Sequence, residues 1–371
     1  MVVGIPKEIK NNENRVGLTP SGVKLLKINN HRVLIEKNAG LGSGFTDDEY
    51  IDSGAEIISN AKDLYAQSEM IVKVKEPQPL EYDYLTENKI LFTYLHLAPA
   101  KDLTRVLLEK KIIGIAYETV TLENGSLPLL IPMSEIAGKM ATQIGAHFLE
   151  KSAGGRGILL GGVTGVEKGT VVIIGGGIVG KNAAKIALGF GANVIILDSS
   201  TDKLAEIDYI FNGKIQTIIS NEYNISKYVK IADLLIGAVL IPGSRAPQLV
   251  TEEMIKTMKD GSVVIDVAID QGGSIETIDR VTTHDDPVYL KHGVLHYAVA
   301  NIPGAASRTS TIALTNVTTP YILEIANKGY KNALLENKSI LKGLNLFKGA
   351  LTCKPVADYQ NLPYVDPLNL L

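Results

Sequence analysis

Four polar residues stand where short apolar runs of this chain end, and their types suit a small charged molecule. Arg15 follows Asn11-Asn12-Glu13-Asn14, and a guanidinium there can clamp a carboxylate with two charge-assisted hydrogen bonds. Lys75 closes the run Met70–Lys75 ahead of Glu76-Pro77 and adds a point charge for a carboxylate or a developing oxyanion. His96, after Phe92-Thr93-Tyr94-Leu95, is able to exchange protons near neutral pH. Asp270 follows Val263–Val267 and Ala268-Ile269 and precedes Gln271-Gly272-Gly273; it can align water or a reacting amine. Each has a plainer reading beside this one: a solvated loop for Arg15, a solvated strand neighbour of Lys73 for Lys75, a satisfied core histidine for His96, and a cap for Asp270.

A second kind of chemistry is written in Gly175-Gly176-Gly177-Ile178-Val179-Gly180, which follows the strand-like Thr170–Ile174 directly. Gly175, Gly177 and Gly180 make G-x-G-x-x-G: one glycine for a tight turn, one for close approach of a pyrophosphate, one for helix–strand packing. The helix it opens would offer unpaired N–H groups and its positive dipole end to phosphates. Asp198 ends the next strand eighteen residues after Gly180, where a carboxylate can accept from a ribose 2′-OH. Ser199-Ser200 follow with no Arg for a 2′-phosphate, which favours NAD over NADP. FAD and S-adenosylmethionine use similar turns, and a bare tight turn is the plain alternative. The preceding region, with its own candidate site, favours a dehydrogenase: a small α-amino or α-keto acid held against a nicotinamide ring. Gly161-Gly162-Val163-Thr164-Gly165 lacks the strand–helix frame and reads as a connecting loop.

Positioning these groups calls for a particular arrangement of elements. Val2–Ile5, Val33–Glu36, Met70–Lys75, Ile90–Leu95 and Ile112–Tyr117 read as strands, with helices at Ser21–Asn29, Ala61–Ser68 and Ala100–Lys110 between them. Such alternation implies a parallel sheet. A second series follows: helix Ser134–Lys151 with Ser134 as N-cap, strand Thr170–Ile174, helix Ile178–Gly189, then strands Asn193–Leu197, Ile215–Ile219, Leu234–Val239, Val263–Val267 and Val294–Val299. That order predicts a six-stranded doubly wound sheet. Thr309–Lys328 is helix-like, interrupted at Pro320, and a polar helical tail is expected after it. Ligands of open α/β sheets sit beyond the strands' carboxyl ends, which selects Arg15, Lys75, His96 and Glu118 in the first series and Asp198, Leu240, Asp270 and Asn301 in the second.

The whole composition permits this. A chain of 371 residues predicts two domains, possibly three; 45% hydrophobic and 21% charged residues exclude global disorder. A net charge of −3 gives no electrostatic reason to expect nucleic acid or an anionic membrane as partner. The longest stretch without Asp, Glu, Lys or Arg, His292–Ser307, is too short and too polar to span a bilayer, so a soluble chain is expected. A single cysteine, Cys353, rules out an internal disulfide and any multi-cysteine zinc site, which suits a reducing cytoplasm. No metal is expected.

Taken together, several segments closely resemble the alanine dehydrogenase family. They are Gly4-Ile5-Pro6-Lys7-Glu8 with Asn14-Arg15-Val16, Val72–Pro77, Tyr94-Leu95-His96-Leu97, Pro132-Met133-Ser134-Glu135, Gly175–Gly180, Asp266–Gly273 and Ala300-Asn301-Ile302-Pro303-Gly304. The resemblance runs from Met1 to about Lys348 without large insertions. It implies an α/β fold of two Rossmann-like doubly wound domains, with a nucleotide domain at 134–304 inserted into a substrate domain made of 1–133 and 305–371. It implies reversible oxidative deamination of L-alanine to pyruvate and ammonium with NAD, in a cytoplasmic hexamer whose inter-domain cleft closes over the reaction.

By the same resemblance, Arg15 and Lys75 bind substrate and His96 and Asp270 are catalytic. Cofactor contacts are implied for Ser134, Gly175, Gly177, Ile178, Val179, Gly180, Asp198, Lys203, Ser220, Val239, Leu240, Val267, Ala268, Ile269, Asp270, Val299, Ala300, Asn301 and Ile302. Arg280 falls where some members carry a cofactor-contacting Arg. Ala306-Ser307-Arg308 departs from the more usual Val-Pro-Arg or Val-Pro-Lys, which bears on local hinge geometry. Neighbouring readings are a transhydrogenase-type NAD(H)-binding subunit, a saccharopine- or opine-type dehydrogenase, whose larger substrate demands a roomier site, and a non-catalytic NAD-binding module.

Overall fold

In a computed structural model, which describes residues 1–239, 247–269 and 272–371, the chain forms two compact units. One comprises Met1–Met133 with Ala306–Leu371; the other is Ser134–Ala305. Among the described residues no helix is long and apolar enough to cross a membrane.

The first unit begins with six strands: β1 (Val2–Ile5), β2 (Arg32–Glu36), β3 (Glu56–Ile58), β4 (Met70–Val72), β5 (Ile90–Thr93) and β6 (Ile113–Ala116). They lie parallel in the order β3-β2-β1-β4-β5-β6. Most central residues, such as Val3, Ile71, Leu91 and Ile115, are fully buried, as expected for strands covered on both faces. Three-residue β3 escapes a periodicity reading because its window is so short.

Strands β4 and β5 stop earlier than the apolar pattern suggests, for a physical reason. Beyond Val72, the Val74 N–H donates to Glu8 Oε1 at 2.6 Å; beyond Thr93, the Leu95 and His96 N–H groups donate to the Glu118 carboxylate. Backbone pairing of the two strands continues only from the Lys73 N–H to the Phe92 carbonyl and from the Tyr94 N–H to the Val74 carbonyl. Side-chain acceptors then take over, and the chain leaves the sheet where Lys75 and His96 sit.

The second unit contains β7 (Thr170–Ile174), β8 (Asn193–Asp198), β9 (Gln216–Ile219), β10 (Leu234–Gly237), β11 (Val263–Asp266), β12 (Val288–Lys291) and β13 (Val294–Tyr297). The order is β9-β8-β7-β10-β11-β13-β12, the doubly wound arrangement with one added antiparallel edge strand. The six-strand expectation missed β12. It is joined to β13 by His292-Gly293, with φ of 53° and 76°, a two-residue primed turn made without the usual Asn-Gly. Alternate residues of β7 feed two cores: Val171 and Ile173 on one face, Val172 and Ile174 on the other.

Helix Ile131–Phe148 starts three residues before the expected Ser134 cap, with Pro132 in its first turn where a missing N–H is harmless. Ser134 is therefore a first-turn residue and not the N-cap. Gly138 lets this helix approach helix Ile178–Gly189 closely: a Cβ there would stand 2.2 Å from the Val179 carbonyl oxygen.

The return segment corrects two expectations. Helix Ser307–Glu336 runs through Pro320, breaking instead at Gly329 (φ 72°, ψ 155°). Burial of Leu314, Thr315, Thr318, Thr319 and Ile322 around the proline outweighs the one lost backbone bond. The expected helical tail is helical in part, through Glu336 and in Lys338–Gly343 and Lys354–Gln360, but β14 (Leu344–Phe347) and β15 (Ala350–Leu351) interrupt it. β14 pairs antiparallel with β6, so the C-terminal segment extends the first sheet. Cys353 is buried and unpaired in that segment.

Candidate active site

Arg15 is buried, with 2% of its surface exposed. Its Nε and Nη2 donate to the two oxygens of Glu13, each at 2.6 Å, and Nη1 lies 3.1 Å from Met133 Sδ. The fork expected for a substrate carboxylate is thus already engaged by a protein carboxylate along one edge. Arg15 is no solvated loop residue. Burial alone would lower the Arg15 pKa, but the hydrogen bonds and charge of Glu13 outweigh it and raise it.

Lys73 and Lys75 resolve into different roles. Lys73 is fully buried, 2.9 Å from Glu81 and 3.2 Å from Glu8, with Tyr65 also donating to Glu81 at 2.8 Å. Burial opposes its charge, yet these two carboxylates outweigh that and raise its pKa. Neither lysine is a solvated neighbour of the other. Lys75 is largely buried, and among the described residues its ammonium has no hydrogen-bond acceptor or ion-pair partner. Burial, then the charges of Arg15 and Lys10, lower its pKa. A desolvated ammonium beside a guanidinium is a site that favours an anion.

His96 is exposed rather than a core histidine. Its backbone is left-handed (φ 48°), which costs a residue with a Cβ about 1–2 kcal/mol. The ring stacks on Tyr94, with centroids 5.8 Å apart and planes inclined by 15°. Tyr94 is anchored by its hydroxyl on the Leu129 carbonyl at 2.6 Å, and the Arg15 charge acts on it. Arg15, Lys75, Tyr94 and His96 therefore share one neighbourhood at the carboxyl ends of β1, β4 and β5.

In the second unit, the glycine turn borders a cavity of about 760 Å³. Of the residues singled out from the sequence, Ser134, Gly175, Gly177, Ile178, Val179, Asp198, Lys203, Ser220 and Val239 line it. Gly175 has φ 107°, accessible at little cost only to glycine. A Cβ on Gly180 would stand 1.9 Å from the Gly175 carbonyl oxygen, so this glycine closes the turn on itself more than it packs helix on strand. Around Gly177 no atom lies within 4 Å of a built Cβ, leaving open space at the helix N-terminus. Asp198 Oδ2 accepts from Gly176 N at 2.8 Å and Oδ1 from Ser200 N at 2.9 Å, while Lys203 Nζ is 3.9 Å away. The carboxylate thus shapes the turn besides facing the cavity.

Other sequence-selected residues lie elsewhere. Gly180, Val267, Ala268, Ile269, Arg280, Val299, Ala300, Asn301 and Ile302 do not line this cavity. Val299 and Ile302 belong to the hydrophobic core, and Arg280 is exposed, stacked 4.1 Å from the Tyr289 ring centre. Leu240 and Asp270 lie outside the described residues. Carboxylates that the motif reading left without a role organise both units: Glu8, Glu13 and Glu118 around Arg15, Lys75 and His96 in the first, and Asp266 at the end of β11 in the second. Asp266, fully buried, accepts from the N–H groups of Ala268 (2.9 Å), Ser274 (2.5 Å) and Ile275 (3.1 Å). Its place at the end of β11 was a visible signal; the roles of Glu8 and Glu13 depended on tertiary contacts. Among the described residues, no group of three or more His, Cys, Asp or Glu side chains is arranged to hold a metal ion.

A doubly wound sheet with this glycine turn, terminal acid and cavity defines a dinucleotide-binding α/β protein. Residues 4–137 match the N-terminal domain, and residues 141–354 the C-terminal domain, of the alanine dehydrogenase/PNT family model. The chain is 63% identical over 364 residues to an alanine dehydrogenase of Methanococcus maripaludis, covering 98% of both, and 60% identical over 366 residues to one of Staphylococcus haemolyticus, covering 99% and 98%. Among solved structures, an L-alanine dehydrogenase superposes with a TM-score of 0.95 at 50% identity, over 97% of this chain and 99% of that one. A transhydrogenase from Sinorhizobium meliloti shares the fold, with a TM-score of 0.81 at 23% identity, over 95% and 98%. The chain belongs to the alanine dehydrogenase/PNT family, and its fold and family imply a nicotinamide cofactor.

Proposed function

We propose that the protein catalyses L-alanine + NAD⁺ + H₂O ⇌ pyruvate + NH₄⁺ + NADH + H⁺. The observation that carries this reading is the pairing of Lys75, a largely buried ammonium without a protein anion of its own, with Arg15 and the exposed His96. Near-full-length relatives named alanine dehydrogenase support it.

The residues of the cavity in the second unit suit a dinucleotide: an open helix N-terminus at Gly177 for the pyrophosphate, and Asp198 for a ribose hydroxyl. Asp198 is the reason for assigning NAD rather than NADP. When bound, the nicotinamide supplies the hydride acceptor or donor. The chain's own residues do the rest. Lys75 and the guanidinium of Arg15 hold the substrate carboxylate, which orients Cα. The His96 imidazole takes a proton from the water that adds at Cα, and returns one to the nitrogen that leaves. Asp270 is assigned to supporting that relay. The remaining sequence-selected residues from Val267 to Ile302 are assigned to the cofactor, in a cytoplasmic hexamer; light scattering on the purified protein tests the assembly.

The reaction is tested by incubating purified protein with L-alanine and NAD and following NADH absorbance. Alanine-dependent NADH, reversed by pyruvate with ammonium, is the expected result. NAD binding without it would replace the enzyme reading with that of a binding module or a transhydrogenase-type subunit.

A further inference from the structure

We infer that Glu118 is the positioning residue for His96, setting the imidazole by gripping its backbone and not by touching the ring. The inference rests on the reading of His96 as the proton-exchanging group. Glu118 Oε1 accepts from the His96 N–H at 2.7 Å and from the Leu95 N–H at 3.1 Å, and Oε2 lies 3.2 Å from the same Leu95 nitrogen. One carboxylate thus receives two consecutive N–H groups just where the backbone turns left-handed. Strain of this kind persists only where its surroundings over-determine it, and charge-assisted bonds are the stronger sort for that purpose.

The gripping residue is itself held. Glu118 stands in the turn Tyr117–Thr119 that ends β6. The Thr119 hydroxyl accepts from Asn345 Nδ2 at 2.6 Å, and the same amide donates to the Gly343 carbonyl at 3.0 Å. Asn345 lies on β14 and is buried, so the C-terminal return segment fixes the turn. From the same turn, Tyr117 packs edge-on against Tyr94 with centroids 5.0 Å apart, and Tyr94 carries the His96 ring. Backbone and ring are therefore both referred to one rigid turn, which leaves the imidazole few orientations while it stays exposed.

The test is a double-mutant cycle in steady-state kinetics with Glu118→Ala, Glu118→Gln, His96→Ala and the Glu118→Ala/His96→Ala pair. Glu118→Ala is expected to lower kcat about 10- to 100-fold, as for a misplaced catalytic group, with KM for NAD unchanged. Glu118→Gln keeps an acceptor oxygen in place and restores most of kcat. In the His96→Ala background, Glu118→Ala should cause no further loss, because the two act as one unit. Full kcat in folded Glu118→Ala, or an equal loss with and without His96, overturns the inference. If Glu118→Ala fails to fold, Glu118→Asp, one methylene shorter, carries the test: wild-type kcat there overturns it, and a loss absent from Glu118→Gln supports it. Near-normal turnover in His96→Ala would instead overturn the reading of His96 itself.

Discussion

Glu13 and Arg15 form a buried, forked ion pair in which both carboxylate oxygens meet one edge of the guanidinium at 2.6 Å. Only two residues apart, they hold the arginine in a fixed plane. Burial pushes the Glu13 carboxyl up, but the hydrogen bonds and charge of Arg15 outweigh it and leave its pKa below the usual value. The pair therefore stabilises the fold above the ordinary carboxylate range, and that stability is lost as pH falls through the lowered pKa. Glu13→Ala removes the carboxylate that forks onto a buried cation and is expected to cost about 3–5 kcal/mol in urea unfolding. A change within 0.5 kcal/mol (roughly the spread of surface substitutions) would contradict this account.

Lys75 predicts an alkaline limb. Burial first, then Arg15 and Lys10, place its pKa below the ordinary 10.5, so its charge is lost as pH rises through that lowered value. KM for alanine should climb in that range. Lys75→Arg, which keeps its charge, should lack the climb even with weaker binding overall. The same desolvated ammonium opposes folding at neutral pH, an effect relieved as pH rises. Lys75→Met should therefore raise Tm at pH 7 (roughly neutral) while impairing substrate binding.

Two glycines of one turn should fail differently. Gly177→Ala meets no protein atom within 4 Å and has an ordinary φ of −73°, so Tm should hold while dinucleotide affinity falls. Gly180→Ala drives a Cβ into the Gly175 carbonyl, so stability should fall by about 1–3 kcal/mol together with affinity. Thermal melts and dinucleotide titration of both variants separate the two outcomes.

Asp198 should govern cofactor choice. Its removal takes away a ribose acceptor and leaves Lys203, 3.9 Å from it, without that anion beside a would-be 2′-phosphate. Asp198→Ala is expected to reduce the preference for NAD over NADP, measured as the ratio of kcat/KM, by about 10- to 100-fold. Because the carboxylate also accepts from Gly176, absolute rates with both cofactors should drop. An unchanged ratio would place discrimination elsewhere.

His296 supplies a pH-dependent stability unrelated to catalysis. Burial lowers its pKa to about 4, and its ring nitrogens are paired with Thr277 Oγ1 at 2.8 Å and the Val294 carbonyl at 2.9 Å. The unfolded chain binds the proton more readily, so stability should fall as pH drops from about 6.5 toward 4. The loss attributable to this one group is about 3 kcal/mol. Chemical unfolding of wild type and His296→Asn across that range checks it: the variant's slope should be shallower.

Strand order in the nucleotide unit, the glycine turn and Asp198 were legible because each rests on local pattern: apolar period, glycine spacing, and an acid at a strand's end. Short elements were not. β3 and β12 are exposed or only partly buried along their length, so no buried apolar face marks them, and Asn345 interrupts the apolar run of β14. Pro320 misled because the neighbours burying that helix come from elsewhere in the chain.

By itself the sequence determined which chemical groups stand at strand ends and that a glycine turn follows the strand Thr170–Ile174. It marked Arg15, Lys75 and His96 by type and position alone. Only the tertiary structure decided how those groups are held: Glu13 on the guanidinium, Glu8 on the Lys75 segment, Glu118 on the His96 backbone. Glu8 and Glu118 lie 67 and 22 residues from the groups they hold, and no local spacing encodes such a pairing; Glu13 stands two residues from Arg15, but only folding buries the two together. It arises when folding buries charges that then satisfy one another.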